Sequence, residues 1–271
     1  MARSSAGRPL GQPTRGKTAP NRLRKTDIFL AVAYTEWVRH MPGLYVDLGY
    51  GAYPITSLET RQRLGRLNPR LQVLGVEIDP ARVAAAEPYS RPGLAFRLGG
   101  FNLPLLPGET VGVIRAFNVL RQYDEAAVDE ALRALGAALT PGGLLLEGTS
   151  DPLGRLLAFN LYQKQPAGAL ERTALVLAPS LQAGFLPRQL RPVLPKNFIH
   201  HAEPGGRIDR FFAAWHAAWQ HARSGANSQR QVFALAALRL AGAYGYRLDR
   251  RLALLRRGFL VLAPEWPATA A

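Results

Sequence analysis

The chain has 271 residues, enough for one large domain or two small ones, and its 48% hydrophobic and 20% charged content excludes a largely disordered chain. There is no cysteine, which excludes disulfides, thiolate zinc sites, iron–sulfur clusters and cysteine nucleophiles. The net charge of +15 is uneven: residues 1–26 hold seven basic and no acidic residues, 27–150 hold 11 and 13, and 151–271 hold 16 and six. Basic ends around a near-neutral centre suit a polyanionic partner such as RNA, with a solvated arginine-rich surface as the plain alternative.

In chain order, residues 1–25 read as a disordered basic tail in which Pro9, Pro13 and Pro20 alternate with Gly7, Gly11 and Gly16. Asp27 is placed to cap a helix running to residue 39. Residues 44–48 read as a strand, 49–53 as a glycine turn and 54–67 as a helix with Pro54 in its first turn. A strand over 71–77 is followed by Asp79-Pro80, a cap and first-turn proline opening a helix to about residue 87. Strands follow at 94–98 and 111–119, with a proline-containing loop or a short helical turn between them. A helix over 124–139 carries Val128, Leu132, Leu135 and Leu139 at helical spacing. The turn Thr140-Pro141-Gly142-Gly143 ends it, and residues 144–147 form the next strand.

The last 120 residues are less regular. Strands are expected at 156–162 and 173–178, and an irregular stretch at 186–198. Ile208, Phe211, Phe212, Trp215, Trp219 and Ala222 give one apolar helical face, read as core packing, with substrate stacking by the two tryptophans as the other option. A second helix covers 229–243, and short strands around a turn at 256–258 close the chain. No stretch approaches the ~18 consecutive apolar residues of a membrane span, and the N-terminus lacks the apolar stretch of a secretory signal, so a cytoplasmic protein without a membrane partner is expected. The apolar runs alternate little, which suits strands covered on both faces. The expected fold is α/β: a three-layer α/β/α sandwich on one Rossmann-like, mostly parallel sheet, with residues 26–180 as the main domain and 181–271 as a basic extension packed on it.

The chemistry gathers at Asp47-Leu48-Gly49-Tyr50-Gly51, where a strand runs into a glycine turn and then a helix. Such a turn lies beyond the carboxyl end of a parallel strand, where ligands bind. Pro54 stands where a dinucleotide fingerprint would want a third glycine, and Asp47 would repel a pyrophosphate but attract an ammonium group. That argues against a nicotinamide-dependent oxidoreductase, which stays as a rival reading. Glu77, 28 residues beyond Gly49, ends the neighbouring strand, where a carboxylate accepts both hydroxyls of a ribose; a solvated loop acid is the bland alternative.

From residue 44 to 148 the chain resembles the class I S-adenosylmethionine-dependent methyltransferases. Asp47-Leu-Gly49-Tyr-Gly51 looks like their glycine-rich motif, Gly75-Val-Glu77-Ile-Asp79-Pro80 like their ribose-binding motif, and Leu139-Thr-Pro141-Gly142-Gly143 like the turn into their fifth strand. The resemblance implies S-adenosylmethionine as cofactor and methyl transfer as activity. It implies Asp47, Gly49, Gly51 and Glu77 as cofactor-binding residues. At the third strand the family has an acidic residue, and this chain has Phe101-Asn102; Asn102 can accept the adenine amino group through its amide oxygen, and Phe101 can stack on adenine. The fourth-strand edge, facing the methyl group in the family, offers Arg115, Asn118 and Arg121 for the acceptor. Tyr123 and Glu147 are the candidate proton acceptors. The base-methylating Asn/Asp-Pro-Pro-aromatic motif is absent. RNA is favoured over a small metabolite on charge alone; the rival is a non-catalytic protein of the same fold that binds nucleic acid or a protein through its basic ends.

No pair of the five histidines has metal-ligand spacing, so no metal site is expected. Arg188, Arg191, Lys196, His200 and His201 cluster in the irregular stretch, where they can meet phosphates or simply be solvated. The sequence does not set the oligomeric state.

Overall fold

Five apolar runs become parallel strands: Leu44–Leu48 (β1), Gln72–Glu77 (β2), Leu94–Leu98 (β3), Val111–Phe117 (β4) and Leu139–Ser150 (β5). Three more, Leu156–Lys164 (β6), Leu170–Pro179 (β7) and Leu260–Leu262 (β8), continue the sheet antiparallel, giving the order β3-β2-β1-β4-β5-β6-β7-β8. The computed structural model describes residues 8–182, 184–199 and 203–266. Burial follows position in the sheet: every residue of central β4 is buried, whereas edge strand β3 alternates. No helix among the described residues is long and apolar enough to cross a membrane.

The helices cover both faces, which makes three layers. On one face Phe29 and Leu30 of Arg24–Ala33 (α1) and Leu64 of Ile55–Leu64 (α3) pack on Tyr45, Val73, Val113 and Leu146. On the other, Val128, Ala131 and Leu135 of Glu125–Ala138 (α5) pack on Val46, Ile114 and Leu145. Beyond α5 on that face, Arg207–Arg223 (α7) and Gln229–Tyr244 (α8) cover β6, β7 and β8. Trp215 and Trp219 are wholly buried there, which makes the tryptophan face core packing. The remaining helices are short: Thr35–Arg39 (α2), Pro80–Ala86 (α4), Lys196–Ile199 (α6) and Leu252–Leu255 (α9).

Local sequence explains most boundaries. Asp79 caps α4, its Oδ1 accepting the Ala81 N–H at 2.9 Å, and Asp124 caps α5 through Ala127 at 2.8 Å. Four expectations change. Asp27 is not a cap: α1 starts at Arg24, Asp27 is buried inside it, and the helix breaks at Tyr34 before α2. Residues 140–143 do not separate helix from strand; β5 starts at Leu139, opposite Val111, and loops these residues out before Val113 meets Leu144. Residues 252–255 are helical, so only β8 remains of the closing strands. The irregular stretch holds a 3-10 turn over Pro187–Val193 and then α6.

The largest difference lies at the N-terminus. The basic tail, expected to be disordered to residue 25, is held from Arg8 onward by its backbone. Leu10 O accepts the Phe101 N–H, Gly16 O accepts the Ala52 N–H, and Thr14 O accepts from Arg82. Composition measures what side chains bury, and it is blind to a segment fixed through its peptide groups.

Candidate active site

The strand order reverses between β1 and β4, and the crevice beyond their carboxyl ends is where open α/β sheets bind ligands. Gly49 (φ +72°) and Gly51 (φ +89°) carry the chain from β1 towards α3 through left-handed backbone that favours glycine. A Cβ on Gly49 would lie 2.7 Å from Val119 Cγ2. Glu77, fully buried at the tip of β2, is tied to the turn: its Oε2 accepts the Gly51 N–H at 2.9 Å and its Oε1 the Ile78 N–H at 3.0 Å. Arg82 pairs with it at 3.4 Å.

Beneath the turn lies an ion cluster that sequence reasoning missed. Asp47 is buried, and its Oδ2 accepts from the Thr56 and Ser57 hydroxyls, each at 2.7 Å. Its Oδ1 accepts from Arg115 Nε at 2.9 Å. Arg115 is itself wholly buried and reaches Asp27, Thr26 and Thr60 with its other end. Arg63 makes a second ion pair with Asp27 at 2.9 Å. Burial opposes the Arg115 charge, but Asp47, Tyr45 and Asp27 outweigh it and hold the guanidinium above its ordinary range; burial pushes the Asp27 carboxyl up, against the pull of Arg115 and Arg63.

One expectation is thereby refined and one corrected. Asp47 still lines the open cavity, but its carboxylate is buried and ion-paired with Arg115. Arg115 reaches no substrate, because β4 is central and this side chain points into the layer under α1 and α3, where only a paired charge is tolerated. The single legible trace was Thr56-Ser57 in the first turn of α3, two hydroxyls able to satisfy a buried acid.

The end of β3 meets the N-terminal segment. Asn102 Oδ1 accepts the Leu10 N–H at 2.7 Å, and its Nδ2 donates to Arg8 O at 3.1 Å. The Phe101 N–H donates to Leu10 O at 2.9 Å. The Phe101 ring sets its edge against Tyr123 at 5.3 Å between centroids, and the Tyr123 hydroxyl oxygen accepts the Gln12 N–H. Residues 10–12 and Thr14 thus fill the space bounded by Gly49, Glu77, Ile78, Gly100 and Phe101, leaving about 20 Å³.

On the other side of the glycine turn a cavity of about 820 Å³ stays open, lined by Asp47, Gly49, Gly51, Asn118 and Arg121 and by Arg15, Lys17 and Arg22. Asn118 adopts φ +60° and ties β4 to β5: its N–H donates to Gly148 O at 2.8 Å, and its amide exchanges bonds with Ser150. Arg22 donates to the Ser150 hydroxyl at 2.9 Å. Arg121 is exposed at the rim.

Glu147 does not join the site. It is buried opposite Asn160, lines neither cavity, and accepts from Asn160 Nδ2 at 2.9 Å, while burial pushes its carboxyl up to about 7. In the irregular stretch Arg191 pairs with Asp209 at 2.8 Å, and neither Arg188 nor Lys196 lines the crevice. His200 and His201 lie outside the described residues. No group of three acidic or histidine side chains able to hold a metal ion gathers among the described residues.

No family model and no curated protein matches the chain. Solved structures match part of it. A Galdieria sulphuraria protein, described provisionally as a sarcosine dimethylglycine methyltransferase, is 16% identical with a TM-score of 0.37, over 46% of this chain and 47% of that one. The CMeT domain of the citrinin polyketide synthase is 21% identical with a TM-score of 0.34, over 40% and 28%. An S-adenosylmethionine-dependent methyltransferase from Mesorhizobium loti is 17% identical with a TM-score of 0.30, over 44% and 53%. The matched stretch spans about half or less of each of these chains.

Proposed function

We propose that the protein is an S-adenosylmethionine-dependent methyltransferase acting on an anionic acceptor, RNA in preference to a neutral metabolite. One observation carries the reading: the glycine turn, the Glu77 carboxylate, the Phe101 N–H and the Asn102 amide oxygen converge on one crevice. The last two set a donor beside an acceptor, the complement of the adenine edge, which offers N1 as acceptor and the 6-amino group as donor. Glu77 supplies the acceptor a ribose needs. These residues fit the adenosyl half of the cofactor.

When bound, the cofactor supplies a methyl group on a positively charged sulfur. The chain has mainly to align an acceptor atom with that methyl group. Asn118, fixed to Ser150, and Arg121 at the rim would position the acceptor. Glu147 is withdrawn into the interior and the Tyr123 hydroxyl lies on the filled side, bonded to Gln12, so the acceptor atom aligned with the methyl group must carry a free lone pair of its own. Arg15, Lys17, Arg22 and Arg121 around the open cavity favour an acceptor bearing phosphates.

Calorimetric titration of the full chain with S-adenosylhomocysteine tests the reading, with Glu77→Gln as control. The expected outcome is binding that weakens at least tenfold in Glu77→Gln, measured at a temperature well below the variant's own unfolding midpoint. Absence of binding at millimolar ligand, in the parent and in a variant whose N-terminal segment has been freed, overturns it. A second reading, a non-catalytic polyanion-binding protein, is favoured by the filled adenosyl side; it requires salt-dependent RNA binding that no adenosyl ligand alters.

A further inference from the structure

Residues 8–16 meet the crevice with every second residue. The backbone groups of Arg8, Leu10, Gln12, Thr14 and Gly16 all bond to it, through Asn102, Phe101, Tyr123, Gln122, Arg82 and Ala52. Pro9 and Pro13, which have no N–H to offer, fall on the outward positions, as in an extended segment added to an edge. The Leu10 side chain, 55% exposed, contributes little, so its peptide group is what the site recognises. That peptide presents a carbonyl to the Phe101 N–H and an N–H to the Asn102 oxygen, the same order of acceptor and donor as adenine.

Gly100 permits the approach: a Cβ there would sit 1.9 Å from Leu10 O. Gly11 fits between Phe101, Tyr123 and Ile78, with 3.1–3.5 Å from the place of its absent Cβ to each.

We infer that residues 8–16 are a built-in pseudo-ligand: they occupy the adenine subsite in place of the cofactor, and an adenosyl ligand enters only by displacing them. The inference rests on the methyltransferase reading and adds a regulatory step to its site. It differs from a lid, which covers a bound ligand and is ordered further by it. Here ligand and segment compete for the same donor and acceptor, so binding must loosen the segment. The basic Arg8 and Arg15 on it, with Lys17 directly after it, make a polyanionic acceptor a natural agent for drawing it away.

Amide hydrogen exchange on the full chain separates the two cases, with S-adenosylhomocysteine as the probe. Without ligand, the Leu10 and Gln12 amides should exchange slowly; at saturation they should speed up at least tenfold. Unchanged or slower exchange at saturation overturns the inference. A second measurement uses Gly11→Val and Leu10→Pro. The first strains a residue at φ +130° and crowds Tyr123, and the second removes the N–H that Asn102 accepts. Once exchange confirms that either variant has freed the segment, its affinity for S-adenosylhomocysteine should exceed the parent's at least tenfold. Equal affinity in parent and freed variant overturns the pseudo-ligand and leaves the methyltransferase reading standing. No binding by either removes both.

Discussion

The two sides of the glycine turn differ in how they are filled. One is an open cavity of about 820 Å³ ringed by cations; the other is reduced to about 20 Å³ by the chain's own N-terminal segment. The open side is walled partly by the sheet, as by Asn118 on Ser150, and partly by the stretch that follows the segment, from Lys17 to Arg22. The filled side is closed by a largely exposed segment whose backbone makes seven hydrogen bonds to its surroundings. Little side-chain burial accompanies those bonds, with Leu10 55% exposed, so the segment can leave without opening the core. A half closed by a displaceable segment beside an open half is what a site needs if one ligand is to wait on another's arrival. Both halves stand on the same base, the buried cluster of Asp27, Arg115 and Asp47.

That base offers the most severe way to break the comparison. Arg115→Leu leaves two buried carboxylates without their shared partner, and removing one member of a buried ion pair costs about 3–5 kcal/mol. Denaturant unfolding should show a loss of that size, with both halves of the crevice collapsing together. Replacing Asp27 and Asp47 by asparagine in the same variant should recover part of it. A loss under about 1 kcal/mol for Arg115→Leu alone would mean that the cluster does not support the turn.

Glu147 sharpens the contrast between crevice and interior. Burial raises its carboxyl to about 7, so the folded protein holds the proton more tightly than the unfolded chain. The stability this contributes is complete below the ordinary carboxylate range and is lost as pH rises through about 7. Glu147→Gln stays neutral, keeps a partner for Asn160 and escapes that loss. At pH 8 it should be more stable than the parent by up to about 3 kcal/mol, and at pH 4 equal to it, as read by thermal or urea unfolding. A parallel dependence in parent and variant would place the titration elsewhere.

Asn102→Ala acts on the filled side alone. It removes two bonds to the segment, worth about 1–2 kcal/mol locally. Exchange at Leu10 should quicken while the global unfolding midpoint moves little, because Arg8 and Leu10 add no core packing. A midpoint shift as large as the local one would make the segment part of the cooperative fold.

The sequence made the sheet and its turn legible because their signals are local. Residues 44–48 and 94–98 form strands at the bounds their apolar runs set, and Asp79 and Asp124 cap the helices they precede. Gly49, Gly51 and Glu77 come together because strand, turn and neighbouring strand fix them. Arg115 was misread because its partners, Asp27 and Asp47, come from other elements, and a polar residue at a strand end looks the same whether it faces solvent or a buried acid. The N-terminal segment was misread for a different reason: its prolines and glycines forbid a helix but suit an extended strap, and nothing in its side chains announces the backbone pairing. The alternation of Pro9, Gly11 and Pro13 with Leu10, Gln12 and Thr14 was the available trace.

The smallest expected effect lies on the open side. Arg121→Ala and Lys17→Ala each remove one exposed cation from the cavity wall. If that wall holds the phosphates of an RNA acceptor, each change should weaken binding modestly and alike for all sequences, and should lower the slope of log affinity against log salt by roughly 0.7, the single-strand value for one contact. The two changes should add, because each cation neutralises its own phosphate and releases that phosphate's counter-ion. Adenosyl-ligand affinity offers the internal contrast. Lys17 directly follows the segment and Arg121 stands elsewhere on the cavity wall, so a pseudo-ligand drawn off by RNA predicts that RNA sharpens S-adenosylhomocysteine binding less in Lys17→Ala than in Arg121→Ala. Equal coupling in the two variants would leave the cations with a role in the acceptor cavity and none in opening the adenosyl side.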